Sequence, residues 1–400
     1  MPTESRSTDV SRKSALKFIV MLGFVSLFAD VTYEGARSVI GPYFAILGAS
    51  ATVVGVFSGL GEFIGYALRL VSGYFSDKTG KYWALTITGY AVNLLAVPLL
   101  ALAGRWEVAA ALIIMERMGK AIRSPARDAI LSHATKQVGQ GWGFGIHEAM
   151  DQVGALTGPL IIAAVLYFKG GYQTGFITLA IPALLAITVL VIARITYPNP
   201  RDFDPIGKKL EGKGLPRVFW IYLLAIGLIA AGYADYPLIA FHLKKNIIVS
   251  DNWIPVFYAI AMAVDAISAL VCGKFFDRIG MSVLIFVVLI SAFFAPLVFL
   301  GGFGLALLGM AVWGIGMGAQ ESIMRAAVAT MVASNKRGSA YGIFNTGYGL
   351  FWFLGSALMG ILYDRHVFFL VAFSVVVQLA SIPVLLIARK KLKTLNFIDI

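Results

Sequence analysis

The sequence contains few charged residues. Asp, Glu, Lys and Arg make up 14% of its 400 residues, whereas a soluble domain carries roughly 25%. Its single cysteine, Cys272, excludes an intramolecular disulfide, and its four histidines lack the spacing of a zinc finger. It has no Gly-x-x-x-x-Gly-Lys-Ser/Thr motif, so the sequence predicts no direct use of ATP. The scarcity of charge excludes an ordinary soluble protein.

Long apolar runs are what the sequence has instead. Hydrophobic residues make up 59% of the chain, in blocks of about 20 residues, the length that a helix needs to cross a bilayer core. The sequence predicts an all-α membrane protein with twelve transmembrane helices in two six-helix repeats. The predicted spans are 16–38, 51–73, 83–104, 107–131, 141–167, 174–195, 218–242, 252–273, 281–301, 303–331, 339–362 and 367–388.

The longest break between apolar runs divides the chain in two. It reads RITYPNPRDFDPIGKKLEGKGLPR and contains prolines and many charges. The polar start MPTESRSTDVSRKSALKF lacks a signal-peptide cleavage site, so we expect the first helix to remain in the mature protein. The predicted organisation is a cytoplasmic tail 1–15, an amino-terminal bundle 16–195, a cytoplasmic linker 196–217, a carboxy-terminal bundle 218–388 and a cytoplasmic tail 389–400.

The net charge of +12 is distributed unevenly between alternate loops. With the amino terminus inside, five Lys and Arg residues lie in outer loops, four lie within spans, and the other 24 of the 33 lie on the cytoplasmic side. Such a bias sets the orientation of a membrane protein. It predicts that both termini are cytoplasmic, and it explains the basic charge without a nucleic-acid partner.

The two halves repeat each other. GYFSDKTG at 73–80 recurs as GKFFDRIG at 273–280, each after the second helix of its half. FGIHEAMDQVGALTGP in helix 5 corresponds to YGIFNTGYGLFWFLGS in helix 11, with aromatic residues replacing the ionisable ones. Two six-helix repeats around a central site are typical of a transporter.

Helix 1 carries ionisable residues on one face. At about 100° per residue, Asp30, Glu34 and Arg37 fall within about 60° of arc. A charged residue at the membrane centre costs roughly 2.5–3.5 kcal/mol, so such residues must pair or line water. We interpret the two carboxylates as candidate substrate- or proton-binding residues.

Helix 5 places ionisable and small residues on the same face. His147 and Asp151 share a narrow stripe with Gly154 and Gly158, and Glu148 lies at its edge. Small residues let helices approach closely, so these charges are predicted to point into the bundle. His147, Glu148 and Asp151 therefore complete the candidate substrate- and proton-binding set.

Other ionisable residues have simpler explanations beside a functional one. Glu116 and Arg117 are interpreted as a structural charge pair or part of a gate. Possible substrate-cavity residues are Asp235, Asp265, Glu321 and Arg325, the last two also fitting an intrahelical pair at i, i+4. The remaining histidines are predicted to be solvated at span ends or in loops: His133, His242 and His366.

These motifs resemble the major facilitator superfamily over essentially the whole chain. GYFSDKTGKY is similar to its signature between helices 2 and 3, and GALTGP is similar to its antiporter signature in helix 5. The resemblance implies that Asp77 latches the cytoplasmic side against helix 11 and that Asp277 does so against helix 5. The gate and structural residues predicted in this way are Gly73, Asp77, Gly80, Arg117, Gly154, Gly158, Pro159 and Asp277.

A narrower resemblance concerns helices 1, 4 and 5. ERMGKAIRSPARDAI followed by FGIHEAMDQVGALTGP, with the acidic pair in LFADVTYEGAR, is similar to a subgroup that includes bacterial nickel-resistance exporters. Those exporters often carry a histidine-rich tail, whereas this chain ends in ARKKLKTLNFIDI. No metal ligands are assigned from the sequence.

The sequence therefore predicts a secondary active transporter of the bacterial cytoplasmic membrane. The favoured hypothesis is a proton-coupled antiporter that works by alternating access and exports a small cationic or metal-related solute. The alternative is a transporter of an organic metabolite, such as a siderophore or organic anion, with Arg37, Arg69 and Arg117 as anion partners. An enzyme is disfavoured because HEAMD offers only one histidine, and a channel because no repeated filter residues are visible. We expect a monomer in membrane lipid, with protons and solute as partners and without a cofactor.

Overall fold

The computed structural model describes residues 3–198, 215–332 and 337–396. Within these ranges the chain is helical apart from its turns, which confirms the predicted all-α fold. The helices are α1 Thr3–Ile46, α2 Ala51–Thr79, α3 Tyr82–Leu99, α4 Trp106–Val138, α5 Gln140–Tyr167, α6 Tyr172–Thr178, α7 Ala180–Thr196, α8 Arg217–Gly232, α9 Tyr236–Lys245, α10 Trp253–Ile279, α11 Ser282–Ser291, α12 Phe294–Leu300, α13 Phe303–Met331, α14 Arg337–Arg365 and α15 Val367–Asn396. Most of the predicted linker 196–217 and the end of the tail 389–400 lie outside the described residues.

The described helices include eleven stretches that are long and apolar enough to cross a membrane. The predicted fourth span corresponds to α4, which is 33 residues long. It is not among these eleven stretches, and it carries many ionisable residues. Arg123, on this helix, is only 1% exposed, so α4 turns charge toward protein rather than toward lipid.

Three predicted spans contain a short break. The spans 174–195, 218–242 and 281–301 are each formed by two consecutive helices. Between α8 and α9, Tyr233 and Asp235 have extended backbones. Pro237 lies in the first turn of α9, where its missing N–H costs little, and the Asp235 carboxylate accepts the Tyr236 N–H at 2.9 Å. The break thus places an acidic side chain at a helix start.

The repeated loop motif has the same backbone turn in both halves. Gly80 and Gly280 have φ of 65° and 60°, the left-handed conformation that favours glycine. Each N–H donates to a carbonyl four residues earlier at 2.8 Å. Gly73, the first glycine of the motif, lies inside α2, where an added Cβ would lie 3.5 Å from the Pro125 side chain of α4.

The chain forms two compact units. The first contains Met1–Ala36 and Leu68–Lys208, and the second contains Arg37–Ala67 and Lys209–Ile400. Most of α1 thus belongs to the first unit, and most of α2 to the second. The bundle boundaries 16–195 and 218–388 remain a prediction.

Candidate functional site

In the first unit, α1 and α5 touch along their backbones. A Cβ placed on Gly154 would collide with the Leu27 carbonyl oxygen and lie 2.8 Å from the Cβ of Asp30. A Cβ on Gly158 would collide with the Val31 carbonyl oxygen. Glycine at these positions permits the close approach. The contact brings the acidic stripe of α1 against the ionisable stripe of α5.

Four predicted residues meet at this contact and form what we call the carboxylate cluster: Asp30, Glu34, His147 and Asp151. Asp30, Glu34 and His147 are 6%, 8% and 3% exposed. Asp30 interacts electrostatically with Asp151 and with Glu34, and His147 Nδ1 lies 3.5 Å from Asp151 Oδ2. The contact and the charge cluster therefore occupy the same part of the first unit.

The carboxylate cluster contains polar atoms that are not hydrogen-bonded within the described structure. These atoms are Oδ1 of Asp30, Oδ1 of Asp151 and Nε2 of His147, all of which are buried. A buried polar atom without a partner costs about 1–3 kcal/mol. The cluster thus presents two carboxylate oxygens and a ring nitrogen that a proton or another partner can bind.

Basic side chains of α4 lie around the cluster. Their role was not predicted from the sequence, because they count among the Lys and Arg residues assigned to the cytoplasmic side. Lys120 Nζ lies 3.8 Å from the ring centroid of Tyr33 and interacts electrostatically with Glu34, Asp30 and Glu116. The sequence did contain a signal that these side chains lie together, because residues 116, 120, 123 and 127 share one face of a helix. Lys120 is therefore an internal counter-charge.

Two arginines of α4 complete this face. Arg127 donates to the Ser26 hydroxyl at 3.0 Å and pairs with Asp128 at 2.8 Å. The guanidinium of Arg123 lies 4.1 Å from the ring centroid of Tyr90. Both arginines also act electrostatically on Asp151. The carboxylate cluster is thus charge-compensated by its own unit.

The predicted pair on α4 is present. Arg117 Nε lies 3.3 Å from Glu116 Oε2, and both side chains are buried. The amide of Asn93, on α3, donates to Glu116 Oε1 at 2.7 Å. These contacts support the interpretation of Glu116 and Arg117 as a structural pair.

Other predicted residues of the first unit lie outside the cluster. Glu148 is exposed and accepts a hydrogen bond from Gln152 Nε2 at 3.5 Å. Asp77 is exposed in the last turn of α2. Pro159 is buried within α5 beside Gly158. In the second unit, Asp277 is exposed near the end of α10. The latch roles of Asp77 and Asp277 remain predictions.

In the second unit, Arg37 joins two carboxylates. Its Nη2 lies 2.8 Å from Asp235 Oδ1 and 3.1 Å from Glu62 Oε1. Asp235 is 2% exposed, and its carboxylate also caps the amino-terminal end of α9. The structure therefore gives Asp235 an ion-pair and helix-capping role, and it places Arg37 with this unit rather than with the carboxylate cluster.

The other candidates in the second unit lie on α10 and α13. Asp265 is 2% exposed, and its backbone packs against Gly318, where a Cβ would also lie 3.0 Å from Asp265 Oδ1. Glu321 is exposed. The side chain of Arg325 lies outside the described part of the structure, so the predicted pair with Glu321 stays a prediction.

His242 corrects the expectation that the remaining histidines are solvated. It is 4% exposed, and its Nδ1 lies 3.0 Å from the Tyr363 hydroxyl and 3.0 Å from the Asn246 amide nitrogen. These three side chains thus form one hydrogen-bonded group in the second unit. Among the described residues, no group of three or more His, Cys, Asp or Glu side chains is arranged to hold a metal ion.

The model of the Major Facilitator Superfamily matches residues 22–356, with a second match over 237–396. The chain belongs to the Major Facilitator Superfamily. An uncharacterized protein of Mycobacterium tuberculosis is 39% identical over 383 residues, which cover 94% of each chain. An uncharacterized MFS-type transporter of Methanocaldococcus jannaschii is 26% identical over 358 residues, covering 87% of this chain and 88% of that one.

Solved transporters share the fold of this superfamily member. The crystal structure of the nucleoside transporter NupG superposes with a TM-score of 0.72 at 14% identity, covering 93% of this chain and 98% of NupG. At this identity the likeness concerns the fold alone. Together with the family match, it identifies a multi-pass membrane protein that is a secondary transporter and not an enzyme.

Proposed function

We propose that the protein is a proton-coupled antiporter that exports a small cationic or metal-related solute by alternating access. The observation that carries this proposal is the approach of Asp30 to Asp151 across the glycine contact of α1 and α5. Both carboxylates are largely buried, and each has an oxygen atom without a hydrogen-bond partner in the described structure.

Two facing carboxylates provide a mechanism for antiport. They repel each other when both are ionised, and either a proton or a bound cation relieves that repulsion. A proton and a cation therefore compete for the same oxygens. If the two conformations of an alternating-access cycle hydrate these oxygens differently, release of one ligand is coupled to uptake of the other.

Lys120 gives the empty transporter a third way to compensate the carboxylates. Its ammonium group interacts with Asp30 and Glu34, so the cluster does not depend on a bound cation to stay neutral. When a solute cation binds, it replaces Lys120 as the counter-charge of the carboxylates. It does not enter an acidic site that has no counter-charge. This arrangement favours exchange over irreversible binding.

His147 is the residue that supports the metal-related form of the proposal. Its Nε2 is buried without a partner in the described structure, and a neutral imidazole nitrogen is a good ligand for a transition metal. The resemblance of helices 1, 4 and 5 to nickel-resistance exporters points the same way.

The buried cations of α4 support a second candidate function. Lys120, Arg123 and Arg127 lie beside the carboxylate cluster, and Arg fits carboxylate groups bidentately. A siderophore or another organic anion would be bound by these groups instead. Transport of an anion that is lost on removal of Arg127 and kept on neutralisation of Asp30 would favour this alternative.

We propose that the protein acts as a monomer in the cytoplasmic membrane of a bacterium, with both termini in the cytoplasm. The bias of Lys and Arg toward one set of loops supports the orientation, and the mycobacterial relative supports a bacterial membrane.

The experiment uses purified protein in vesicles that contain a trapped pH indicator. Proton movement is recorded when Ni²⁺ or the permanent organic cation N-methyl-4-phenylpyridinium is added, and labelled solute exchange is recorded without a pH gradient. We expect Asp30→Asn and Asp151→Asn to abolish pH-driven flux while some solute exchange continues. Glu107→Gln, an exposed carboxylate at the start of α4, is the control and should behave as wild type.

The same assay extends to the other two candidate carboxylates. Glu34→Gln should show the same loss if the proton site includes all carboxylates of the cluster, and Glu148→Gln tests whether the exposed carboxylate outside the cluster takes part. Full pH-driven flux in all four variants would exclude the proton role and leave the cluster structural.

A further inference from the structure

A pocket lies at one end of the second unit, where the turn between α10 and α11 meets α15. Its volume is about 530 Å³, and it is lined by Arg278, Ile279, Ser282, Phe286 and Arg389. We call it the two-arginine pocket. Arg278 lies in the last turn of α10, and Arg389 belongs to α15. The fold thus brings two basic side chains from separate helices to one cavity.

The turn between α10 and α11 fixes one wall of the pocket. Gly280 has a φ of 60°, and its N–H donates to the Phe276 carbonyl at 2.8 Å. The Val283 N–H donates in turn to the Gly280 carbonyl at 3.2 Å. The start of α11 has no side-chain cap hydrogen bond, so the partial positive charge of this helix end adds to that of the arginines.

The charge of the two-arginine pocket is not compensated by its own walls. Arg278 is exposed and Arg389 is half-buried, and neither forms an ion pair with another of the described residues. The other three lining residues are uncharged, and Asp277, the neighbour of Arg278, is not among them. Two positive groups beside one cavity repel each other, and an anion between them relieves that repulsion. The pocket therefore points to an anionic ligand.

Apolar walls indicate what else this ligand carries. Ile279 and Phe286 are 49% and 61% exposed. The exposed apolar surface continues along α11 with Leu289 and Ile290, which are 44% and 50% exposed and lie three and four residues beyond Phe286. These residues belong to the apolar stretch Ser282–Leu300, which is long enough to cross a membrane. A charged pocket thus opens onto a surface that faces lipid chains.

We propose that the two-arginine pocket binds the headgroup of an anionic phospholipid, whose chains lie along the exposed face of α11. Arginine donates several hydrogen bonds to phosphate oxygens. The pocket lies where the apolar stretches Trp253–Ile279 and Ser282–Leu300 end and begin, which is the depth of lipid headgroups. In the proposed orientation this is the cytoplasmic leaflet, whose anionic lipids attract basic residues. The inference goes beyond the proposed antiport and does not depend on it.

The first repeat provides a matched control. Its segment VLVIAR, which ends at Arg194, corresponds to VLLIAR, which ends at Arg389. Arg194 is exposed in the last turn of α7. The position of Phe286 is taken by Thr86, which is completely buried. Arg194 therefore has the charge of Arg389 at the equivalent helix end but lacks the exposed aromatic neighbour.

The experiment measures lipid retention by native mass spectrometry of the purified full chain in a neutral detergent. The probes are phosphatidylglycerol and phosphatidylcholine with the same acyl chains, added in equal amounts. We expect wild type to retain the first phosphatidylglycerol at least about fivefold more tightly than phosphatidylcholine. Arg278→Gln and Arg389→Gln should each weaken this retention about fivefold, whereas Arg194→Gln should leave it unchanged. The two arginines lie on separate helices, so either variant provides the test if the other fails to fold.

Two results would overturn the lipid site. Equal retention of both lipids by wild type, or an equal loss in Arg194→Gln and Arg389→Gln, would show a general attraction of lipid to basic surface. Millimolar inorganic phosphate separates a lipid site from a site for a free anion. Phosphatidylglycerol should stay bound in its presence, and Phe286→Ser should weaken the retention. Displacement by phosphate with unchanged retention in Phe286→Ser would assign the pocket to a soluble anion instead.

Discussion

Lys120 is the residue that changes most in meaning between sequence and structure. In the sequence it belongs to a basic run at the end of a span, where the positive-inside rule explains it. In the structure its ammonium group lies over the Tyr33 ring and acts on the acidic residues of α1. Since charged groups near a low-dielectric interior interact strongly, we expect Lys120 to have a larger effect on stability than a loop lysine.

Lys120→Gln should destabilise the protein by about 2 kcal/mol, a value between those for exposed and buried ion pairs. The reason is that Asp30 and Glu34 lose their internal counter-charge. Thermal unfolding in detergent measures the change.

Lys81→Gln is the matched control, because Lys81 is exposed just after the Gly80 turn. A second check is the double variant Lys120→Gln with Glu34→Gln, which should recover part of the lost stability because the two residues are coupled. Additive losses in the double variant would contradict an interaction between them.

At the scale of secondary-structure elements, the close contact of α1 and α5 positions the carboxylate cluster. The helices approach so closely that a Cβ on Gly154 has no room beside the Leu27 carbonyl. Gly145 lies on the same helix, yet a Cβ there meets nothing within 4 Å. Alanine substitutions at these two glycines therefore distinguish the effect of the helix contact from the effect of helix propensity.

Gly154→Ala should lower stability by about 1–3 kcal/mol, the usual range for overpacking, and should reduce transport because it moves Asp30 away from Asp151. Gly145→Ala should be neutral or stabilising, since alanine favours a helix by up to about 1 kcal/mol over glycine. Thermal unfolding and vesicle flux of both variants provide the measurement. Equal behaviour of the two variants would show that the contact between α1 and α5 does not govern the site.

At the scale of the whole molecule, the superfamily transports solutes by passing between conformations, and the repeated loop motif bears on that equilibrium. The two turns share the left-handed glycines Gly80 and Gly280, and each follows an exposed aspartate, Asp77 or Asp277. An exposed acidic residue at the same position of both repeats is suited to a contact made in one conformation only.

Asp77→Ala should reduce vesicle transport by at least about fivefold, the lower end of typical coupling energies. Equilibrium solute affinity should stay within a few-fold, because a latch changes the population of conformations rather than the binding groups. Glu107→Ala, an exposed carboxylate at the start of α4, serves as control. Abolished binding with an unchanged conformational equilibrium would instead assign Asp77 to the binding site.

The sequence by itself determined the class of fold. Apolar runs of membrane length must be helical, because backbone groups in a bilayer need internal hydrogen bonds, and the internal repeat indicates the transporter architecture. The periodicity of α1 and α5 also identified Asp30, Glu34, His147 and Asp151, since residues on one helical face are determined by spacing alone. It did not show the break within the span 218–242, where Asp235 and Pro237 mark the start of α9.

Only the tertiary structure decided which faces meet. Helical spacing defines a stripe but not its partner, so the positions of Lys120 beside Glu34, of Arg37 between Glu62 and Asp235, and of Tyr66 against Tyr348 could not be read from separate segments. Each of these contacts joins different helices, and helix packing depends on the shapes of both surfaces at once. For the same reason Glu148, one residue outside the stripe of His147, remains exposed while its neighbour is buried.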